Sequence, residues 1–314
     1  MAKPQIGDAK VDKILSQFSQ MYRNKFYIAE RILPVLAVKE RSGKYAKYGK
    51  ENLRNYNNQI LRAPGTRALS VDYSVSQGTY VCSERSLEKK VPDELANNTD
   101  DPYDPKRDAT VVLMDNILVN QEYVLQQFLT STTNLTQNTT LSGTAQWNDY
   151  ANSDPISDIE TAIETVRAAT GQRPNIMAMG RKVFLRLKYH PDIREQLKYT
   201  TNASLSDDSL LSALRDFFNL EEVIVGEAVV NTSVDGQADS ISDLWGLDAW
   251  LIYRTARPSL MNATFGLTLM DVPNQVDTYR DEPFRSDVVR VRKSFDMNVF
   301  DANLGYLIKN AISS

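Results

Sequence analysis

Few side chains in this sequence are of the kinds that carry out reactions, and their spacing limits what they could do. A thiol nucleophile would have to be Cys82 and its base His190, since each is the single residue of its type. A cysteine nucleophile needs a base within hydrogen-bond reach, and nothing in the sequence places these two together. His190 sits in Tyr189-His-Pro-Asp192, after a short helical stretch, and reads as a helix-end or turn residue. Paired carboxylates occur at Asp100-Asp101 and Asp207-Asp208, each directly before a helix or a proline, where capping of free backbone N–H groups is their ordinary use. There is no Walker loop, dinucleotide fingerprint, nucleophile elbow, or Cys/His cluster at metal-ligand spacing. The sequence therefore offers no catalytic, cofactor-binding or metal site, and the chain is not expected to be an enzyme. Asn134-Leu-Thr136 and Asn138-Thr-Thr140 match the glycosylation pattern, but no secretory leader is legible and they read as chance.

With chemistry this sparse, the informative features are the elements. At 314 residues and 42% apolar content the chain can bury a proper core, as two domains or one with large insertions. No apolar run reaches membrane-spanning length and Met1 to Asp12 holds no apolar block, so a soluble protein with no membrane partner is expected. A single cysteine excludes an internal disulfide framework. Residues 1–62 hold thirteen Lys or Arg against five Asp or Glu, while the rest is acidic. This basic first fifth suits contact with nucleic acid or with an acidic surface of another copy, and equally an ordinary solvated arm. No DNA-reading motif accompanies it.

The organising element is a helix from Asp104 to Thr130. Asp104 is placed to cap it and Pro105 to occupy the first turn. Met114, Ile117, Leu118, Val124, Leu125, Phe128 and Leu129 then draw an apolar stripe, with Asn116, Asn120, Gln121, Gln126 and Gln127 mostly off it. At ~1.5 Å per residue this spine spans roughly 35–40 Å, enough to brace several other elements. Such a stripe is core, and argues for scaffold rather than chemistry.

Before the spine, Val11, Ile14, Leu15, Phe18 and Tyr22 predict a short amphipathic helix, and Phe26 to Val38 an extended edge segment containing Pro34. Lys44 to Leu95 reads as a long, polar, two-stranded excursion, with Val71 to Ser76 and Thr79 to Ser83 split by Gln77-Gly78. An isolated hairpin of this kind is marginal in water and is expected to lie on a neighbouring molecule. After the spine, Thr130 to Thr144 predicts a loop or weak hairpin. Ser157 and Glu160 are spaced as a capping box for a helix ending at Gly171. Strands are expected at Asn175–Met179, Glu222–Gly226, Asp248–Tyr253 and Thr264–Met270, with a helix at Asp208–Phe218, together an α/β layer. In Val288 to Val299, Val289, Val291, Phe295, Met297 and Val299 face one way, predicting a half-buried strand, and Gly305-Tyr-Leu-Ile308 a short apolar tail.

The order of these elements, with Ile32-Leu-Pro-Val-Leu-Ala-Val38, Arg62-Ala-Pro-Gly65, Pro92-Asp-Glu94, Pro174-Asn175, Leu187-Lys-Tyr-His-Pro-Asp192, Val223-Ile-Val-Gly-Glu-Ala228 and Gly305-Tyr-Leu-Ile308, resembles the major capsid proteins of tailed bacteriophages, the Hong Kong 97-type shell fold shared with encapsulins. The resemblance implies an α+β fold. An N-terminal arm and first peripheral segment would cover 1–40, an extended β-hairpin loop 41–95, a peripheral domain with the spine helix 96–155, an α/β axial domain 156–270, and a return to the peripheral domain 271–314.

It further implies a structural protein that self-assembles into hexamers and pentamers of an icosahedral phage head enclosing double-stranded DNA. Its partners would be itself, a separate scaffolding protein (no coiled-coil extension precedes the arm), a portal, cement proteins, and packaged DNA through non-specific contact. Its place would be the virion, assembled in the host cytoplasm. An encapsulin-type nanocompartment shell is the alternative, and a hydrolase with an unrecognised site a more remote one. The intersubunit ion pairs are expected from Arg54, Arg62, Arg67, Glu84, Arg85, Glu88, Lys89 and Lys90, although exposed pairs contribute only ~0.2–1 kcal/mol each.

Overall fold

The structure, a computed structural model, describes residues 10–11, 27–48, 64–67, 75–97, 104–197, 206–233, 240–259 and 262–313. The predicted N-terminal amphipathic helix falls outside them except at Val11, which belongs to a two-residue strand, β1 (Lys10–Val11). The stretch expected to be extended from Phe26 instead begins with one helical turn, α1 (Ala29–Ile32), and only then becomes strand β2 (Val35–Ala37). Pro34 separates the two, since it cannot continue a helix and has no N–H for a ladder.

A two-stranded ribbon follows, β3 (Ser42–Tyr48) and β4 (Val75–Val81), and its second strand runs almost directly into β5 (Ser83–Pro92). Gln77-Gly78, predicted to split two strands, lies inside β4 instead, opposite Ala46 and Tyr45. The reason is steric: the Tyr45 ring lies over Gly78, filling the space a Cβ would take.

The short α2 (Asp93–Asn97) precedes the spine, α3 (Pro105–Thr130). As its sequence predicts, Asp104 accepts from the Lys106 and Arg107 amides at 3.0 and 3.4 Å, and Pro105 opens the first turn. Met114, Ile117, Leu125 and Leu129 are buried along it. Gln121, expected off the stripe, is buried as well, together with Glu122.

After β6 (Asn138–Thr140) comes α4 (Pro155–Thr170), whose cap is Asp154, accepting from the Ser157 amide at 2.9 Å, and not Ser157 itself. The proline at Pro155 sets the first turn three residues earlier than the capping box implies. Gly171 closes the helix at φ 71°, in the left-handed region that favours glycine. The chain continues through β7 (Ile176–Gly180), α5 (Arg181–Tyr189), α6 (Pro191–Leu197), α7 (Asp207–Phe217), β8 (Glu222–Gly226), β9 (Val229–Asn231), β10 (Ile241–Asp243) and β11 (Ala249–Ile252). It ends with β12 (Gly266–Asp281), β13 (Ser286–Val299) and β14 (Gly305–Lys309).

Two five-stranded sheets result. In the first, β13 lies between β12 and β5, with β1 and β2 both on the outer edge of β12. β12 runs well past Met270, the end legible in its apolar run, because β13 pairs with it as far as Asp281–Ser286. A register shift between Val272 and Gln275 spans Pro273, which is how a proline is accommodated inside a strand. In the second sheet the order is β6-β14-β11-β7-β8, so Gly305–Lys309 is an inner strand and not a terminal tail.

That second sheet explains its own sequence. Met177, Met179, Ala249, Leu251, Tyr306 and Ile308 pack toward α4, α5 and α7. Ile176, Ala178, Trp250, Ile252 and Leu307 pack the other way, against Leu125 and Leu129 of the spine. With both faces covered, its strands read as unbroken apolar runs. The N-terminal half of the spine instead packs Ala109, Leu113, Met114 and Ile117 on Val91, Val276, Val289 and Val291 of the first sheet. One helix thus braces both sheets.

Candidate functional site

Among the described residues, the side chains with reactive potential do not assemble. Cys82 is buried at the root of the ribbon with Tyr45, Tyr80, Leu267 and Leu269, its Sγ 3.5 Å from the Leu269 carbonyl. Burial pushes the thiol up to about 11, the reverse of what a nucleophile needs. His190 caps the end of α5, fully buried, with Nε2 3.1 Å from Ser153 Oγ and its ring edge-on to Tyr150. Burial holds its pKa below the ordinary histidine value. Asp207 pairs with Arg181 at 2.8 Å and Lys188 at 2.7 Å, while Ser206 caps α7, so the expected capping role of the Asp207-Asp208 pair is taken by its neighbour. Asp100 and Asp101 lie outside the described residues.

The ribbon is a separate two-stranded sheet and is poorly able to stand alone. Ser42, Lys44, Ser76, Gln77, Thr79 and Val81 are exposed along it. Its root, by contrast, is fixed. Gly43 faces Tyr80 and Tyr45 faces Gly78 on rungs two residues apart, and each ring covers the glycine opposite. The Tyr45 ring lies 4.4 Å from Phe300 and its hydroxyl donates to the Val299 carbonyl at 3.2 Å. Positions two apart share a face of the ribbon, so both rings lie on one side, and a bulky side chain at Gly43 or Gly78 would displace the ring opposite.

The predicted contact residues separate into groups. Arg54 and Arg62 lie outside the described residues, and Arg67 is exposed in a turn covering residues 64–67. The other five sit on β5, which pairs along β13 from Ser83 to Pro92. Arg85 lies 4.0 Å over the Phe295 ring and donates to the Phe295 carbonyl. Glu88 accepts from the Tyr279 hydroxyl at 3.0 Å. Lys90 pairs with Asp281 at 2.8 Å and lies over the Phe284 ring. Glu84 is 3.7 Å from Arg41. No ion pair is formed by Lys89 among the described residues.

A polar cluster that sequence reasoning missed lies where the two sheets meet the spine. Lys293 follows Val291 and precedes Phe295 on the buried face of β13, and its Nζ reaches Gln121 Oε1 at 2.6 Å and Glu30 Oε1 at 3.1 Å. Beside it, Glu122 accepts from the Ile28 and Ala29 amides, both at 2.6 Å, and from the Trp245 indole at 3.0 Å. The available signal was parity: alternation on β13 puts position 293 between two buried positions.

Chain-wide likeness points the same way as this scaffold-like anatomy. The family model described as phage major capsid protein E matches residues 121–266. The major capsid protein of Burkholderia phage BcepMu is 28% identical over 306 residues, 95% of each chain. A phage-related protein from Bordetella bronchiseptica RB50 has a similar crystal structure, with TM-score 0.77 and 30% identity over 96% of this chain and 98% of its own. The capsid of cyanophage P-SCSP1u, at 9% identity, shares the fold alone, with TM-score 0.61 over 98% of this chain and 92% of its own.

Proposed function

The chain belongs to the phage major capsid protein family, and from that premise we propose that it is a shell subunit whose ribbon and basic N-terminal segment bind neighbouring copies. It is a structural protein with the Hong Kong 97-type capsid fold, a component of the virion, and not an enzyme. Its self-assembly forms hexamers and pentamers that close an icosahedral head around double-stranded DNA. A separate scaffolding protein, a portal and cement proteins are the further partners, and assembly takes place in the host cytoplasm.

The observation that carries this reading is the ribbon. It is anchored rigidly at one end by two tyrosine–glycine rungs, yet its exposed strands bury too little to be stable alone. A surface of that kind gains stability from a neighbour, and many weak contacts repeated around a closed shell become strong together. Among the described charged candidates, Arg67 and Lys89 fit contact with another copy best, since Arg85, Glu88 and Lys90 are each engaged within their own subunit, while Arg54 and Arg62 stand as candidates on charge and position in the sequence alone.

Electron microscopy of the chain expressed alone and with its neighbouring gene products tests the assignment. Closed shells or capsomer rings are expected, and a dispersed monomer in both samples overturns it. Mass spectrometry of purified particles distinguishes a DNA-filled head from a compartment loaded with protein cargo. Arg62→Glu combined with Arg67→Glu is expected to reduce particle yield without unfolding the subunit, and an unchanged yield removes those residues from the contact.

A further inference from the structure

The four-residue helix α1 is far too short to be stable by itself, and four side chains from distant parts of the chain hold it. Glu122 of the spine accepts from the Ile28 and Ala29 amides at its N-terminal end. Arg254 donates to the Arg31 carbonyl at its other end. Arg31 itself pairs with Glu222 at 2.6 Å, and Glu30 with Lys293 at 3.1 Å. A carboxylate at the N-terminal end and a guanidinium at the C-terminal end complement the helix dipole. Glu122 reaches a third segment as well, because its other oxygen accepts from the Trp245 indole, whose ring lies edge-on to Trp250.

Glu122 differs from the other members in being fully buried with no cation paired to it among the described residues. The titratable groups around it do not neutralise it. Lys293 on β13 reaches Gln121 and Glu30, Glu30 on α1 adds a like charge, and Arg31, Arg254 and Glu222 pair with one another at the far end of the turn. Three N–H donors favour the ionised carboxylate, while loss of water disfavours it.

We infer that Glu122 is a proton-linked latch, which holds α1 and the Trp245 loop against the spine more tightly as the pH falls. Burial is the larger influence and lifts the carboxyl to about 7, against an ordinary 4.5, with the three donors opposing it. The sign follows from linkage. A closed latch binds a proton that an opened, hydrated Glu122 releases between these two values, so closure is favoured in acid and weakens as the pH rises towards 7, becoming level above it. The gap between the two values caps the change in the opening equilibrium at roughly 300-fold. The latch is a property of the folded subunit and does not rest on the shell reading.

Hydrogen exchange of the full chain, followed by mass spectrometry from pH 5 to pH 8.5 and corrected for intrinsic rates, tests it. Peptides covering 27–33 and 244–248 are expected to open at least ten-fold more readily at pH 7.5 than at pH 5, while a peptide covering β7 stays level. Glu122→Gln, which cannot ionise, removes the pH dependence from both peptides. A level wild-type profile, or a rise that survives in Glu122→Gln, overturns the inference. Should Glu122→Gln fail to fold, Trp245→Phe gives an independent reading. It removes a donor that favours the ionised form, so the midpoint moves to higher pH, and an unmoved or lowered midpoint refutes the latch.

Discussion

Replacing Tyr45 with alanine separates ribbon docking from subunit folding. Tyr45 is 4% exposed, packs on Phe300 at 4.4 Å, and donates to the Val299 carbonyl at 3.2 Å. Truncating a buried aromatic residue costs about 3–5 kcal/mol. The packing that the ring provides lies within the ribbon and where it meets β12 and β13, outside the two large clusters on either side of the second sheet. Most of that cost should therefore appear as local opening. Amides of β3 and β4 are expected to exchange about 10²–10³ times faster, while the unfolding temperature falls by less than ~3 °C. Tyr45→Phe keeps the ring and loses one neutral hydrogen bond of about 1 kcal/mol, so its exchange rises roughly five-fold. In a shell-forming preparation the alanine variant gives fewer particles from folded subunits. A fall in unfolding temperature of roughly 5–15 °C, the size a global loss of 3–5 kcal/mol would produce, refutes the idea that the ribbon root is energetically separate. Unchanged exchange in β3 and β4 refutes the anchoring role.

Leu251, fully buried at the centre of the second sheet, is the contrasting case: Leu251→Ala should cost about 2–5 kcal/mol and lower the unfolding temperature of the whole subunit. Asp287 joins the start of the spine to β13, where Lys106 at 2.7 Å and Arg280 hold its carboxyl below the ordinary 3.8. Its contribution is present above pH 3.8 and is lost as the pH falls through the folded value, so Asp287→Asn should flatten the acid limb of a urea-midpoint profile between pH 5 and pH 2. An unaltered acid limb would assign the acid sensitivity to other carboxylates.

The candidate contact residues were legible to different degrees. Charge and position on a polar excursion singled out eight side chains, but partners across strands cannot be read from one segment. Lys90 and Asp281 are 191 positions apart, as are Glu88 and Tyr279, and only the β12-β13-β5 pairing brings them together. The root of the ribbon was hidden for a related reason. Gly78 after Gln77 carries the local signature of a turn, and what makes it a strand residue is a tyrosine thirty-three positions earlier, Tyr45, lying across it.

What the sequence determined by itself is the set of features whose causes are local. Asp104 and Pro105 begin the spine, Gly171 ends α4, and the apolar run at Glu222–Gly226 is a strand, because caps, left-handed glycines and periodicity act within a few residues. The missing catalytic motifs are likewise a matter of composition and spacing. Tertiary structure alone decided that β12 continues through polar residues to Asp281, that Gly305–Lys309 is an inner strand, and that Gln121, Glu122 and Lys293 meet in the interior. Each depends on pairing or burial between segments far apart in the chain, where the free energy of a polar group is set by the donors and water around it rather than by its neighbours in sequence.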